Sequence, residues 1–216
     1  MPSSLKESSR LWLVRHAQSA AQTGEELSID SNLNALGRKQ ALRLADAIGK
    51  VRFEGVFISP LKRARQTFQA SGASIVSRYE MEFDTRILEV MQPGGYLPLL
   101  PYGQLPDYAL SDRHGAWDTD IKERVIDFYK EMESLSLERS DILAVSHAMV
   151  LNVIFHLFVC GSLEGDPETY KNCRPGNASV SMLERSPGSK VFDTLRLWNY
   201  QGHLSGLSGD CSLPKI

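Results

Sequence analysis

The chain has 216 residues, 42% of them hydrophobic, enough for one sizeable core, so a single domain spanning 1–216 is expected. With 24 basic against 26 acidic side chains and a net charge of −2, it lacks the clustered Lys and Arg of a nucleic-acid surface, though a small local anion pocket is compatible with that balance. Three cysteines, Cys160, Cys173 and Cys211, with no CxxC pair, argue against a disulfide framework or zinc site and fit a reducing, cytoplasmic compartment.

The opening "MPSSLKESSR" has no apolar core of the kind a secretory signal needs. Leu11 to Val14 form a continuous apolar run, the pattern of a strand covered on both faces. Ala17 to Leu33 read as a loop. Asn34 is placed to cap a helix whose Ala41, Leu44, Ala45 and Ile48 share one face, with Gly49 at its stop. Gly55 to Ser59 form a second strand, after which Ser59 is expected to cap a helix with Pro60 at its first position. A third strand is expected near Ile75 to Ser77, and another within Glu80 to Leu88. The Gly-, Pro- and Tyr-rich stretch at about 92–118 reads as an ordered insertion or lid. A helix begins near Asp120, with Ile121, Val125, Phe128, Tyr129 and Met132 on one stripe. Ile142 to Val145 are a buried strand, and Ala148 onward a helix. That helix holds the most apolar run, Val150 to Cys160, about half of what a bilayer demands, so no membrane association is expected. A hairpin closes the pattern, and the tail from Ser205 is expected to fray.

Alternating strands and helices predict an α/β fold: a three-layer α/β/α sandwich on a mostly parallel sheet, with one antiparallel strand near the C-terminus. Ligands of such sheets gather beyond the carboxyl ends of the strands. Strand one ends at Arg15-His16. Strand two ends at Ser59, with Arg63 in the next helix's first turn, and the late strand ends at Ser146-His147. Two arginines and two histidines thus meet one rim, beside a helix N-terminus, an arrangement suited to a small phosphorylated dianion. His114 and His156 lack this context and read as structural.

The segments "LVRHAQS", "SPLKRARQT" and "AVSHAMV" resemble the three signature segments of the histidine phosphatase superfamily, also called phosphoglycerate mutase-like. "LNALGRKQALRLADAI", "PGNASVSMLE" and "GHL" extend the resemblance over roughly residues 10 to 204. It implies that His16 is a nucleophile forming a phosphohistidine and that Arg15, Arg63 and His147 bind the phosphoryl group. By the same resemblance Glu89 is the proton donor, Ser19 and Gln22 are phosphate or substrate contacts, and neither cofactor nor metal is needed. Four departures stand out. Ala17 and Ala148 replace the glycines that usually follow the two histidines, Gln22 replaces an Asn, and "VMQPGGYLPLL" stands where an acidic, Trp-containing stretch is usual. Glu82 and Asp84 are therefore the alternatives to Glu89. The rivals to a phosphomonoester hydrolase are a phosphoglycerate mutase and a phosphate-binding protein without turnover. Only one Arg, Arg113, and no Lys lie in 92–118, which favours release of product over retention for transfer. The natural substrate and a homodimer through a sheet edge are left open.

Overall fold

Strand β1 (Ser9–Arg15) shows why the apolar run is continuous. Leu11 and Leu13 pack into one core cluster and Trp12 and Val14 into another, so the strand is walled on both faces. Fully burying each such side chain contributes about 1.5–3 kcal/mol. This computed structural model describes residues 8–28, 30–76, 81–89, 119–163 and 173–207. The expected lid at 92–118, His114, Cys211 and the tail beyond residue 207 lie outside the described residues.

After β1 come helix α1 (Ala35–Ile48), strands β2 (Arg52–Phe53) and β3 (Gly55–Ile58), helix α2 (Lys62–Ala70), and strands β4 (Ser74–Ile75) and β5 (Met81–Phe83). Then follow helix α3 (Thr119–Leu135), strand β6 (Asp141–Ser146), helix α4 (Ala148–Cys160) and the hairpin β7 (Val180–Arg185) and β8 (Thr194–Tyr200). The main sheet has the order β5-β3-β6-β1-β7-β8. The first four are parallel, β7 runs against β1, and β8 against β7, so β7 alone opposes the other five strands. Helices α1 and α2 cover one face with Leu44, Ile48 and Ala64, while α3 and α4 cover the other with Phe128, Met132 and Ile154. This is the three-layer α/β/α sandwich that the alternation predicts. Among the described residues no helix is long and apolar enough to cross a membrane.

Asn34 caps α1 as expected, accepting from the Gly37 amide at 2.7 Å. Gly37 itself is dictated by close approach: a Cβ there would sit 1.9 Å from the carbonyl oxygen of Gln18. The strand expected at Ile75 to Ser77 is instead the two-residue β4, paired only with β2 in a separate ribbon. The main sheet's edge is β5, inside the expected Glu80–Leu88 window. The expected cap of α2 is also corrected. Ser59 does not cap it. Lys62 begins the helix, and its amide donates to Asp30 Oδ1 at 2.6 Å. An acidic side chain from the distant loop between β1 and α1 thus fills the place the local Ser-Pro pattern assigned to Ser59.

Candidate active site

The carboxyl ends of β1, β3 and β6 converge on one rim. His16 follows β1 and is 3% exposed, and its amide donates to the Ser146 carbonyl at 2.9 Å. Its Nδ1 lies 2.7 Å from the Ala17 carbonyl. A carbonyl only accepts, so Nδ1 carries the ring proton and Nε2 keeps a bare lone pair. Arg63 gives the same answer independently: its Nε–H points at His16 Nε2 from 3.3 Å, a contact that needs an acceptor there. His147, fully buried, occupies the N-cap position of α4. Its ring centroid is 5.0 Å from that of His16, with the planes tilted by 57°. Its Nε2 meets Ser59 Oγ at 2.6 Å. Arg15 donates through Nη1 to the Pro175 carbonyl at 2.7 Å.

Charge is concentrated here among buried and half-buried groups. Burial first, then the Arg63 and Arg15 guanidinium groups, hold the His16 pKa well below the ordinary imidazole value. His147 is held low by burial, then by Arg63, His16, Arg15 and Arg124. Both rings are neutral at neutral pH. Burial lowers the Arg63 pKa to about 10, opposed by the charges of Glu89 and Asp30, so the group stays cationic. Burial lowers Arg15 too; Glu89 opposes the shift and Arg174 adds to it. Within the rim's arginine and histidine cluster, buried Arg15 Nε and His147 Nδ1 have no hydrogen-bond partner among the described residues. Such atoms in a cationic cluster are what a tetrahedral oxyanion satisfies.

Of the three candidate carboxylates, Glu89 is the one whose charge reaches both Arg15 and Arg63. Its segment is tied to the end of β6 by the Ser146 hydroxyl, which donates to the Ile87 carbonyl at 2.8 Å. Asp84 is committed elsewhere: it accepts from Arg86 Nη2 at 2.6 Å, and Arg86 also bridges to Glu131. Glu82 is exposed on β5, its pKa raised by desolvation and then by the charges of Asp84 and Glu131.

Ser19 and Gln22 lie on the 3-10 turn that follows His16. The Ser19 amide donates to Gln22 Oε1 at 2.9 Å, and the Gln22 side chain pairs with the Asn177 amide at 3.1 Å in both directions. Asn177, which the sequence reading did not single out, donates through Nδ2 to the His16 carbonyl at 3.0 Å. The Ala178 amide donates to the same carbonyl at 3.2 Å. Ala178 adopts φ = 53°, a left-handed conformation unusual for alanine, and His203 Nε2 donates to its carbonyl at 2.9 Å. Thr67 was missed as well: its Oγ1 accepts from the Ala17 amide at 2.9 Å and donates to the Arg63 carbonyl at 2.6 Å. One signal for Asn177 was available, since the polar "PGNAS" leads into a strand running against β1 and must therefore start at β1's carboxyl end. Neither Ala17 nor Ala148 has positive φ; among the described non-glycine residues, Ala178 and Asn199 do. The two glycine departures therefore carry no backbone strain.

The sequence matches the histidine phosphatase superfamily (branch 1) over residues 11–92 and 103–199. The chain belongs to this superfamily. No curated protein matches its sequence. Solved structures do match its fold. The phosphoserine phosphatase variant from Entamoeba histolytica superposes with a TM-score of 0.66 at 18% identity, covering 91% of this chain and 99% of that one. The α-ribazole phosphatase from Shigella flexneri gives 0.65 at 21% identity, covering 88% and 96%. Mycobacterial glucosyl-3-phosphoglycerate phosphatase gives 0.61 at 21% identity, covering 90% and 100%. At these identities the likeness is one of fold. Among the described residues no three His, Cys, Asp or Glu side chains cluster as metal ligands would.

Proposed function

We propose that this histidine phosphatase superfamily member hydrolyses small phosphomonoesters through a phosphohistidine on His16, without a metal. The observation that carries the reading is the bare Nε2 of His16, held 3.3 Å from the Arg63 Nε and with the His147 ring centroid 5.0 Å from its own. Phosphoserine phosphatase, α-ribazole phosphatase and glucosyl-3-phosphoglycerate phosphatase, its structural neighbours, are named for phosphomonoester substrates, which supports the substrate class.

In the first half-reaction, His16 Nε2 attacks phosphorus. The N–P bond forms as the ester P–O bond breaks, and protonated Glu89 gives its proton to the leaving oxygen. Arg15 and Arg63 neutralise charge spread over the equatorial oxygens, the task a metal performs in other phosphoryl-transfer sites. His147 donates to a further oxygen. In the second half-reaction, Glu89 takes a proton from water as the water oxygen attacks phosphorus. The N–P bond breaks, inorganic phosphate leaves, and His16 and Glu89 return to their starting states. Ser19, Gln22 and Asn177 support the loop carrying His16 rather than gripping the phosphoryl group directly.

The test uses p-nitrophenyl phosphate with wild type and His16→Ala, followed by a panel of phosphorylated metabolites. Wild type is expected to turn over and to yield an acid-labile labelled adduct after rapid quenching; His16→Ala is expected to do neither. Turnover retained in His16→Ala overturns the nucleophile assignment. A wild type that binds phosphate and never turns over overturns hydrolysis in favour of binding.

A further inference from the structure

The two imidazoles of the rim are given opposite partners, and the difference assigns a role to Ser59. The Ala17 carbonyl at His16 can only accept. The hydroxyl at His147 can do either. Ser59 is fully buried at the end of β3, and its own amide is pinned to the Val145 carbonyl at 3.0 Å. Among the described residues, His147 Nε2 at 2.6 Å is the one hydrogen-bond partner of its Oγ. If Nε2 carried the ring proton, Oγ would accept it. The hydroxyl hydrogen would then be buried without an acceptor, and His147 Nδ1 would present a lone pair to an incoming anion. Both consequences are unfavourable. If the hydroxyl donates instead, its hydrogen is used, and Nδ1, which is buried and unpartnered, keeps a proton to give.

We propose that Ser59 is a positioning residue that fixes the tautomer of His147, donating to Nε2 so that Nδ1–H is the hydrogen presented to the phosphoryl oxygen. This assignment rests on the phosphomonoesterase reading for the identity of the oxygen, but not for the tautomer. His16 and His147 thereby share one tautomer and present opposite ends of it. The first shows a lone pair to phosphorus, and the second a hydrogen to oxygen.

The test is the ¹⁵N spectrum of the His147 ring near neutral pH, together with steady-state kinetics, for wild type, Ser59→Ala and Ser59→Thr. Wild type is expected to show a protonated Nδ1 and an unprotonated Nε2. Ser59→Ala is expected to move population toward Nε2–H and to lower kcat by about tenfold to a hundredfold, with KM changing less. Ser59→Thr, which restores a hydroxyl, is expected to recover both readouts in large part. A wild-type proton on Nε2 overturns the proposal, as does a Ser59→Ala protein with unchanged tautomer and kcat. If Ser59→Ala does not fold, the wild-type spectrum decides alone. The two readings fail separately. A wild type with Nδ1–H and no turnover sinks the hydrolase, whereas one with turnover and Nε2–H sinks the role of Ser59.

Discussion

The rim has two halves built on different rules. The parallel half, at the carboxyl ends of β1, β3 and β6, brings Arg15, His16, Arg63 and His147, every one of them ionisable and buried or half-buried. The antiparallel half, at the amino end of β7, brings the Pro175 carbonyl, the Asn177 side chain and the Ala178 amide, all neutral. One half gathers the ionisable groups proposed to meet an anion. The other fixes the backbone and side chains that carry the charge. The lesson is that a strand running the wrong way is the means by which a leading loop, rather than a trailing one, reaches the site.

The sharpest way to break this division is Glu89→Gln, which leaves the arginines in place but removes the proton. It is expected to lower kcat by about a hundredfold to ten thousandfold, with a smaller loss for substrates whose leaving group needs no proton. Equal losses for p-nitrophenyl and alkyl phosphates would move the proton donor elsewhere. Next comes Arg63→Ala, expected to cost about a hundredfold to a thousandfold in kcat, as loss of one well-placed donor does. Asn177→Ala tests the neutral half. It removes one of two hydrogen bonds to the His16 carbonyl and is expected to cost only about twofold to tenfold. If it matches Arg63→Ala, the two halves are not distinct in kind.

The smallest effect is on stability. His16 and His147 have folded pKa values below the ordinary imidazole value near 6.5. Above that value folded and unfolded chains bind the same number of protons at these rings. Below it the unfolded chain takes up protons that the folded one refuses, so stability falls as pH drops, by up to about 1.4 kcal/mol per pH unit for each ring. Thermal midpoints of wild type are therefore expected to decline from about pH 6.5 downward. His147→Gln should decline less steeply, while Asn177→Ala should parallel wild type. A pH slope unchanged in His147→Gln contradicts the burial of a neutral ring.

Legibility followed the same division. Arg15, His16, Arg63 and His147 could be placed from the sequence because each lies at or just beyond the end of a buried apolar strand, and such runs announce themselves. The sandwich followed from the alternation of those runs with helical periods. Strand β2 was not legible and β4 only approximately, since two residues carry no period. Ser59 was misassigned because local turn grammar favours a serine before proline as a helix cap, while in the folded chain a histidine 88 residues later claims the hydroxyl. Asn177 and Thr67 act through backbone groups of other segments, and Asn177 also through the Gln22 side chain, so their roles emerge only after the topology is known.

One consequence follows from the grip of His203 on Ala178 and of Ala178 on His16. A ribosome that had synthesised Arg15, His16, Arg63 and His147 would still lack the last brace behind His16, because it comes from the turn Gly202–Leu204. A chain cut just before that turn keeps every strand of the main sheet and loses the brace, so loss of the proposed turnover is expected to precede loss of fold.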